Sequence, residues 1–337
     1  MRCYDISTVA VEGHRTFHLL DLDRRMDFGV VPDIGNVGYK FTVNGQDAII
    51  PIESFGKYLE ERWFGCGIPF LAPYANRIDH DYYFFGGNKY LLNNNLGNLL
   101  RTPDTKLILH GLLAFDPRWE VVQSRASDDE GATLTSRLEF YRYPDLMAQF
   151  PFAHTIQMTF NLKDGKLKNT TTIHNLGRSP MPVHVGYHPY FRVDGTREEW
   201  VLCLDVKTHW IPNDHTMLLP TGEKEHVGNY LQNPCSFRLG RTFLDDNFSD
   251  FNRDVNDRGS IRVRGRSQQI EVVYGREYDF ALVFAPLKDD KPLICIEPQT
   301  GPTNALNLNH EGKFKDLVVL DPGATCQATF WIVPTGF

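Results

Sequence analysis

The chain has 337 residues, 42% of them hydrophobic and 23% charged, the balance of a globular protein long enough to bury a core without disulfides or metals. Lys and Arg number 35 against 42 Asp and Glu, a net charge of −7, which argues against nucleic acid or an anionic membrane surface as a partner. No apolar run reaches the roughly 18 residues of a spanning helix, and the N-terminal stretch MRCYDISTVAVEGHRTFHLLD has no apolar centre, so no secretory signal is expected.

In chain order, the first periodic signal is a hairpin: Tyr39–Val43, a turn at Asn44-Gly45, then Ala48–Ile50. Glu53–Glu61 predicts a short helix capped by Ser54. Tyr82–Phe85 and Lys89–Leu92 predict a second hairpin around Gly86-Gly87-Asn88, and the Asn-rich stretch Asn93–Arg101 reads as a surface loop. Strands are predicted at Trp119–Gln123 and Ala132–Tyr141. The strongest two-residue alternation follows, Ile156, Met158, Phe160 and Leu162, then an Asp164-Gly165 turn and Leu167–His174. Further strands are predicted at Trp200–Val206, Ile261–Arg264, Ile270–Tyr274, Phe280–Ala285, Leu293–Ile296, Leu317–Leu320 and Ala324–Val333. Asp245–Arg258, charged and poor in apolar residues, reads as a loop, and a short helix is expected near Thr303–Leu308.

Many short strands, no long amphipathic helix and no linker or repeat predict one all-β domain over residues 1–337, a sandwich or barrel. An aromatic content of 12% suits β structure. The six cysteines are scattered without a CxxC pair, which predicts idle thiols in a reducing compartment such as the cytoplasm.

No GxGxxG follows a strand, and neither a P-loop nor a GxSxG elbow is present, which argues against Rossmann cofactors, bound nucleoside triphosphates and an α/β-hydrolase. His184 and His188 have the spacing of helical zinc ligands, but Pro182, Gly186 and Pro189 break a helix there. Residues four apart also share one face of a strand, so a metal pair stays open. His110 and His188 lie in Gly- and aromatic-rich contexts, and Glu297 ends an apolar run. A carboxylate there is partly desolvated and suited to act as a base. Taken singly, each histidine is equally a satisfied core group and Glu297 a salt-bridged strand end. Arg77, beside Asn76 after a Pro-bounded apolar segment, presents a fork of donors to a cleft or pairs at the surface with Asp79 or Asp81. Asp245 offers a carboxylate to ligand hydroxyls or belongs to a plain acidic loop.

Taken in order, these segments resemble the aldose 1-epimerase (galactose mutarotase) family. The matching pieces are Gly67-Ile68-Pro69-Phe70 through Asn76-Arg77-Ile78, Leu109-His110-Gly111 with Phe115-Asp116 and Trp119, and His188-x-Tyr190-Phe191. They continue with Leu244-Asp245-Asp246-Asn247-Phe248, and with Ile296-Glu297-x-Gln299-Thr300 with Asn304 and Asn307. The resemblance implies a large antiparallel β-supersandwich with a sugar cleft on one sheet, no metal and no organic cofactor. It implies Glu297 as base, His188 as acid, His110 as their helper on the ring-oxygen side, and Asn76, Arg77 and Asp245 as ligands of sugar hydroxyls. The expected substrate is a monosaccharide, a free hexose. Alternatives are a hexose 6-phosphate, for which Arg101, Arg118 and Arg192 are the candidate phosphate ligands, a non-catalytic sugar-binding protein, and a metal-dependent sandwich enzyme using His184 and His188. Leu112-Leu113 after His110-Gly111, Arg192-Val193 after Phe191, and Pro298 beside the base depart from the usual family pattern, as does the length of the stretch 93–109.

Overall fold

The computed structural model describes residues 3–62, 64–213, 218–287 and 292–337. Two large antiparallel sheets carry the fold. The nine-stranded sheet runs in the order Glu120–Ser127, Gly131–Leu138, His154–Lys163, Lys166–Asn175, Thr325–Thr335, Gln269–Tyr274, Gly259–Arg264, Val201–Leu204 and Phe237–Arg238. The facing sheet orders Pro220–His226, Val206–Pro212, Leu244–Phe251, Phe280–Ala285, Ile294–Gln299, Gly186–Tyr187 and Phe70–Leu71, with Tyr190–Phe191 also paired to Ile294–Gln299. Tyr187 joins the two faces: its ring lies 5.0 Å from that of Phe330, and its hydroxyl is 2.6 Å from Thr171 Oγ1. A five-stranded N-terminal meander from Tyr4 to Asp47 packs on the nine-stranded sheet, with Phe28 5.0 Å from Phe160. One connected apolar core takes side chains from Tyr4 to Ile332; each such fully buried large side chain is favoured by about 1.5–3 kcal/mol over its exposed state.

The central hairpin forms where alternation predicts it. His154–Lys163 and Lys166–Asn175 pair with Lys163 opposite Lys166, and both Asp164 (φ 49°) and Gly165 (φ 74°) take the left-handed backbone that a two-residue hairpin turn needs. Tyr82–Phe85 and Asn88–Leu91 also pair, but the turn is Gly86-Gly87 and Asn88 belongs to the strand. After Asn44-Gly45 the returning strand is Gln46–Asp47, not Ala48–Ile50. The helix Phe55–Glu61 has Ser54 as its cap, accepting from the Lys57 amide at 3.4 Å, and Ala305–His310 forms the second expected helix.

Three expectations need correction. Ala132–Tyr141 stops as a strand at Leu138 and closes in a 3₁₀ turn, Phe140–Arg142. Trp200–Val206 divides at Asp205: Val201–Leu204 lies in one large sheet, Val206–Pro212 in the other. Asp205 braces the crossing, its carbonyl accepting the Asn252 amide at 2.9 Å and its carboxylate the Asn252 side chain at 2.9 Å. The supposed loop Asp245–Arg258 begins as a buried strand, Leu244–Phe251, between two neighbours of its sheet. Asp245, Asp246 and Asn247 are buried there because each finds a partner. Among the described residues no helix is long and apolar enough to cross a membrane.

Candidate active site

Alternation along Ile294–Gln299 sorts the strand into two faces. Ile294 and Ile296 enter the main core, while Cys295 joins a smaller cluster with Phe64, Leu71 and Tyr190. Glu297 lies on the Cys295 face. It is wholly buried inside the strand rather than at its end, opposite Leu282. Gln299, two residues on, donates its amide to Glu297 Oε2 at 3.2 Å. Gly186 pairs with Gln299, and a Cβ at Gly186 would meet the Pro298 carbonyl at 2.8 Å, so only glycine lets the next strand approach.

That close approach delivers His188. Its amide is held by the Pro69 carbonyl at 3.0 Å, and its Nε2 lies 3.1 Å from Glu297 Oε1. The two are near enough to attract but are not aligned as a hydrogen bond: Glu297 Oε1 and His188 Nδ1 are both buried without a hydrogen-bond partner. Tyr190 stacks on His188 at 4.6 Å and Phe64 covers it in parallel at 5.9 Å. His110 meets both edge-on, at 4.7 Å from Phe64 and 5.0 Å from His188, and its Nδ1 is also unpartnered.

Arg77 begins the short strand Arg77–Ile78, where it pairs with Leu109. Its Nη1 donates to Asn76 Oδ1 at 3.0 Å and its Nη2 to Asp245 Oδ2 at 2.9 Å. Neither surface partner expected from sequence takes it; Asp81 holds Arg101 instead. The fork is fixed by irregular backbone. Asn76 (φ 56°) and His110 (φ 59°) both occupy the left-handed region, tied by the His110 amide donating to the Asn76 carbonyl at 2.9 Å. Such strain persists where surrounding structure over-determines it, and it clusters at functional sites. Asn304 accounts for one buttress, donating its amide to the Arg77 carbonyl at 3.1 Å.

All six residues singled out in the sequence, Asn76, Arg77, His110, His188, Asp245 and Glu297, line one cleft of about 590 Å³, within the usual range for a small-molecule site. Phe64, Leu282, Phe284 and Leu293 add apolar wall, and Thr102-Pro103-Asp104 bring the stretch 93–109 to it. A second hollow of about 630 Å³ shares Phe64 and Gly65 but contains none of the six.

Burial pushes the Glu297 carboxyl well above its ordinary range, and the nearby Asp245 charge adds to the shift, while Gln299 and Arg77 oppose it. Burial drives the His188 imidazole down to about 3 and His110 well below its ordinary range, His188 and Arg77 adding to the latter. Burial also raises Asp245, against the pull of Arg77. The floor thus holds a carboxyl and an imidazole that burial biases toward their neutral forms.

His184 does not join them. It is buried, with Nε2 3.3 Å from the Gly301 carbonyl, and lines a separate small hollow. Among the described residues no group of three His, Cys, Asp or Glu is arranged to hold a metal. Two contributors escaped the sequence reading. Gln299 stands in the quoted motif without a role, yet two-residue alternation puts it beside Glu297. Phe64 follows a short helix and carries no local signal; only tertiary packing brings it over the two histidines.

Fold and cleft together define a galactose mutarotase-like β-sandwich with a buried carboxyl and imidazole facing each other in the cleft. The chain belongs to the aldose 1-epimerase family, whose profile matches residues 31–332. Its fold is similar to that of a galactose mutarotase-like protein from Clostridium acetobutylicum, at 19% identity over 99% of both chains with a TM-score of 0.83. It is likewise similar to galactose 1-epimerase from Lactobacillus acidophilus, at 16% identity over 100% of both chains and a TM-score of 0.75. An aldose epimerase homologue from C. elegans matches at 18% identity over 99% of both chains, with a TM-score of 0.71.

Proposed function

We propose that the protein is an aldose 1-epimerase that interconverts the α and β anomers of an unphosphorylated hexose, working as a single domain. The observation that carries this reading is the 3.1 Å approach of His188 Nε2 to Glu297 Oε1 in the cleft that also presents the Arg77–Asp245 fork.

Transfer of a proton from Glu297 to His188 gives a carboxylate and an imidazolium; the positive charge of Arg77 favours the carboxylate and opposes the imidazolium. Glu297 takes the proton of the C1 hydroxyl as the C1–O5 bond breaks, and His188 gives its proton to O5. The product is the open aldehyde. After rotation about C1–C2, His188 takes back the O5 proton, O5 attacks the other face of C1, and Glu297 returns its proton to O1. The pair ends with the one proton it began with, so acid–base chemistry alone closes the cycle without metal or organic cofactor. Arg77, Asn76 and Asp245 supply donors and acceptors for ring hydroxyls. His110 flanks the acid on the ring-oxygen side, and the aromatic wall covers the apolar sugar face.

Among the described residues, the cations expected for the 6-phosphate alternative are engaged elsewhere. Arg101 is held by Asp81 and Asn94, Arg118 by Asp116 and Asp145, and Arg192 lines the second hollow. Among the described residues lining the cleft, Arg77 is the cation and Asp104, Asp245 and Glu297 are the acids, a poor environment for a dianion. A purely sugar-binding protein has no use for a desolvated carboxyl against an imidazole. Free thiols at all six cysteines support a reducing, cytosolic location.

The test is polarimetry on freshly dissolved α-glucose and α-galactose, with and without EDTA. Acceleration of mutarotation that EDTA leaves unchanged is expected. Saturable sugar binding without acceleration would replace the enzyme with a binding protein.

A further inference from the structure

Behind the Arg77–Asp245 fork lies a charged cluster that the proposed chemistry leaves unused. His209, on Val206–Pro212, is buried. Its Nδ1 lies 2.9 Å from Glu225 Oε1 and its Nε2 3.0 Å from Asp246 Oδ1. Tyr230 stacks on the imidazole, centroids 3.8 Å and planes 10° apart, and donates its hydroxyl to Asp246 Oδ2 at 3.0 Å. The same oxygen accepts the backbone N–H of Asp245 at 3.1 Å. Three strands and a short helical turn meet at this point.

Both ring nitrogens of His209 face a carboxylate oxygen. A neutral imidazole has one N–H and one lone pair, and here the lone pair would face a carboxylate oxygen with no hydrogen between them. An imidazolium has two N–H groups and satisfies both acids, with charge-assisted bonds of the stronger kind. It also balances two carboxylates, Asp245 and Asp246, that are neighbours in sequence and both buried.

We infer that His209 is a positioning residue for the substrate-binding fork: as an imidazolium it fixes Asp246, Asp246 clamps the Asp245 amide, and Asp245 is thereby aimed at Arg77. The inference rests on the reading of Arg77 and Asp245 as sugar-binding groups. Removing the His209 charge leaves the two adjacent acids to repel each other. The strand then relaxes at Asp245, and the fork loses its second anchor while Glu297, on another strand, and His188, between two short strands, keep theirs.

The test combines a spectroscopic and a kinetic reading. In ¹⁵N-histidine-labelled protein, the signal lost in His209→Gln should show both ring nitrogens protonated; a single protonated nitrogen overturns the inference. In steady-state mutarotation, His209→Gln should raise KM for the hexose about tenfold with kcat within threefold. Tyr230→Phe should move KM the same way by two- to threefold. A role confined to folding would lower melting temperature and active fraction but leave KM unchanged, and that result overturns the inference. If His209→Gln fails to fold, Tyr230→Phe and Glu225→Gln carry the kinetic reading. If the wild-type protein neither binds nor turns over a hexose, the enzyme reading fails, and the ring-nitrogen signals still decide the charge on His209.

Discussion

Two pairs of buried histidines in this chain are set apart by what their ring nitrogens touch. His154 Nδ1 lies 2.6 Å from the Phe152 carbonyl and His184 Nε2 3.3 Å from that of Gly301. Burial lowers each to about 4, and each backbone carbonyl pulls back upward. His110 and His188 are as well hidden, yet each keeps an unpartnered Nδ1, and both line the cleft that holds Glu297. Burial alone therefore does not distinguish a packed histidine from a working one. What sets His110 and His188 apart is an unpartnered Nδ1 combined with a place in the large cleft beside Glu297; His154 and His184 line only a small separate hollow.

The sharpest way to break this contrast is to alter the group that His188 faces. Glu297→Gln keeps size and the contact with Gln299 but removes the base; kcat for mutarotation should fall by about 10³-fold, within the span of general-base contributions. Next, His188→Gln should cost about 10²-fold in kcat. His184→Gln, four residues away, should stay within about twofold per folded molecule while lowering melting temperature, as expected for a lost buried hydrogen bond. Equal losses from the two histidine substitutions would erase the distinction drawn above.

The proposed proton sharing sharpens the contrast through pH. The proposed mechanism needs the Glu297–His188 pair to carry one proton. Burial holds His188 down to about 3 and raises Glu297, so the pair gains a second proton only in strong acid. Hence kcat/KM, corrected for the buffer-catalysed rate, should fall by less than about twofold as the pH is lowered from 8 to 5. A histidine titrating at its ordinary value of about 6.5 would instead impose a steep acid limb across that interval, and such a limb would refute the shared-proton description.

How much of this was legible in the sequence depended on where each signal lives. The hairpin around Asp164-Gly165 was readable because both strand alternation and turn chemistry are local. The six cleft residues were readable as a set because their motifs keep their order along the chain. Leu244–Phe251 was not, because hydrophobic periodicity fails where polar residues are buried by partners far away: Asp245 by Arg77, Asp246 by His209, Asn247 by Thr303. Tyr4–Val11 was missed for the opposite reason: it turns Thr8, Val9 and Ala10 all to solvent, so no inside–outside alternation marks it. Phe64 could be found only from the folded chain.

The smallest expected effect bears on why a desolvated carboxyl remains in so well packed a strand. The Glu297 carboxyl is raised in the folded state and ordinary, about 4.3, in the unfolded one. Its contribution to stability is therefore fully present below the unfolded value and is lost as pH rises through the folded value, since the folded state must either hold the proton or bury a charge. The side-chain amide of a Glu297→Gln variant has no such proton to lose. The variant and the parent should melt together near pH 4, and the variant should melt higher at pH 8. A variant that gains stability while losing about 10³-fold in rate would mark Glu297 as a residue retained for chemistry against the interest of the fold. A loss of stability across the whole pH range would instead assign Glu297 to the packed class, with His154 and His184.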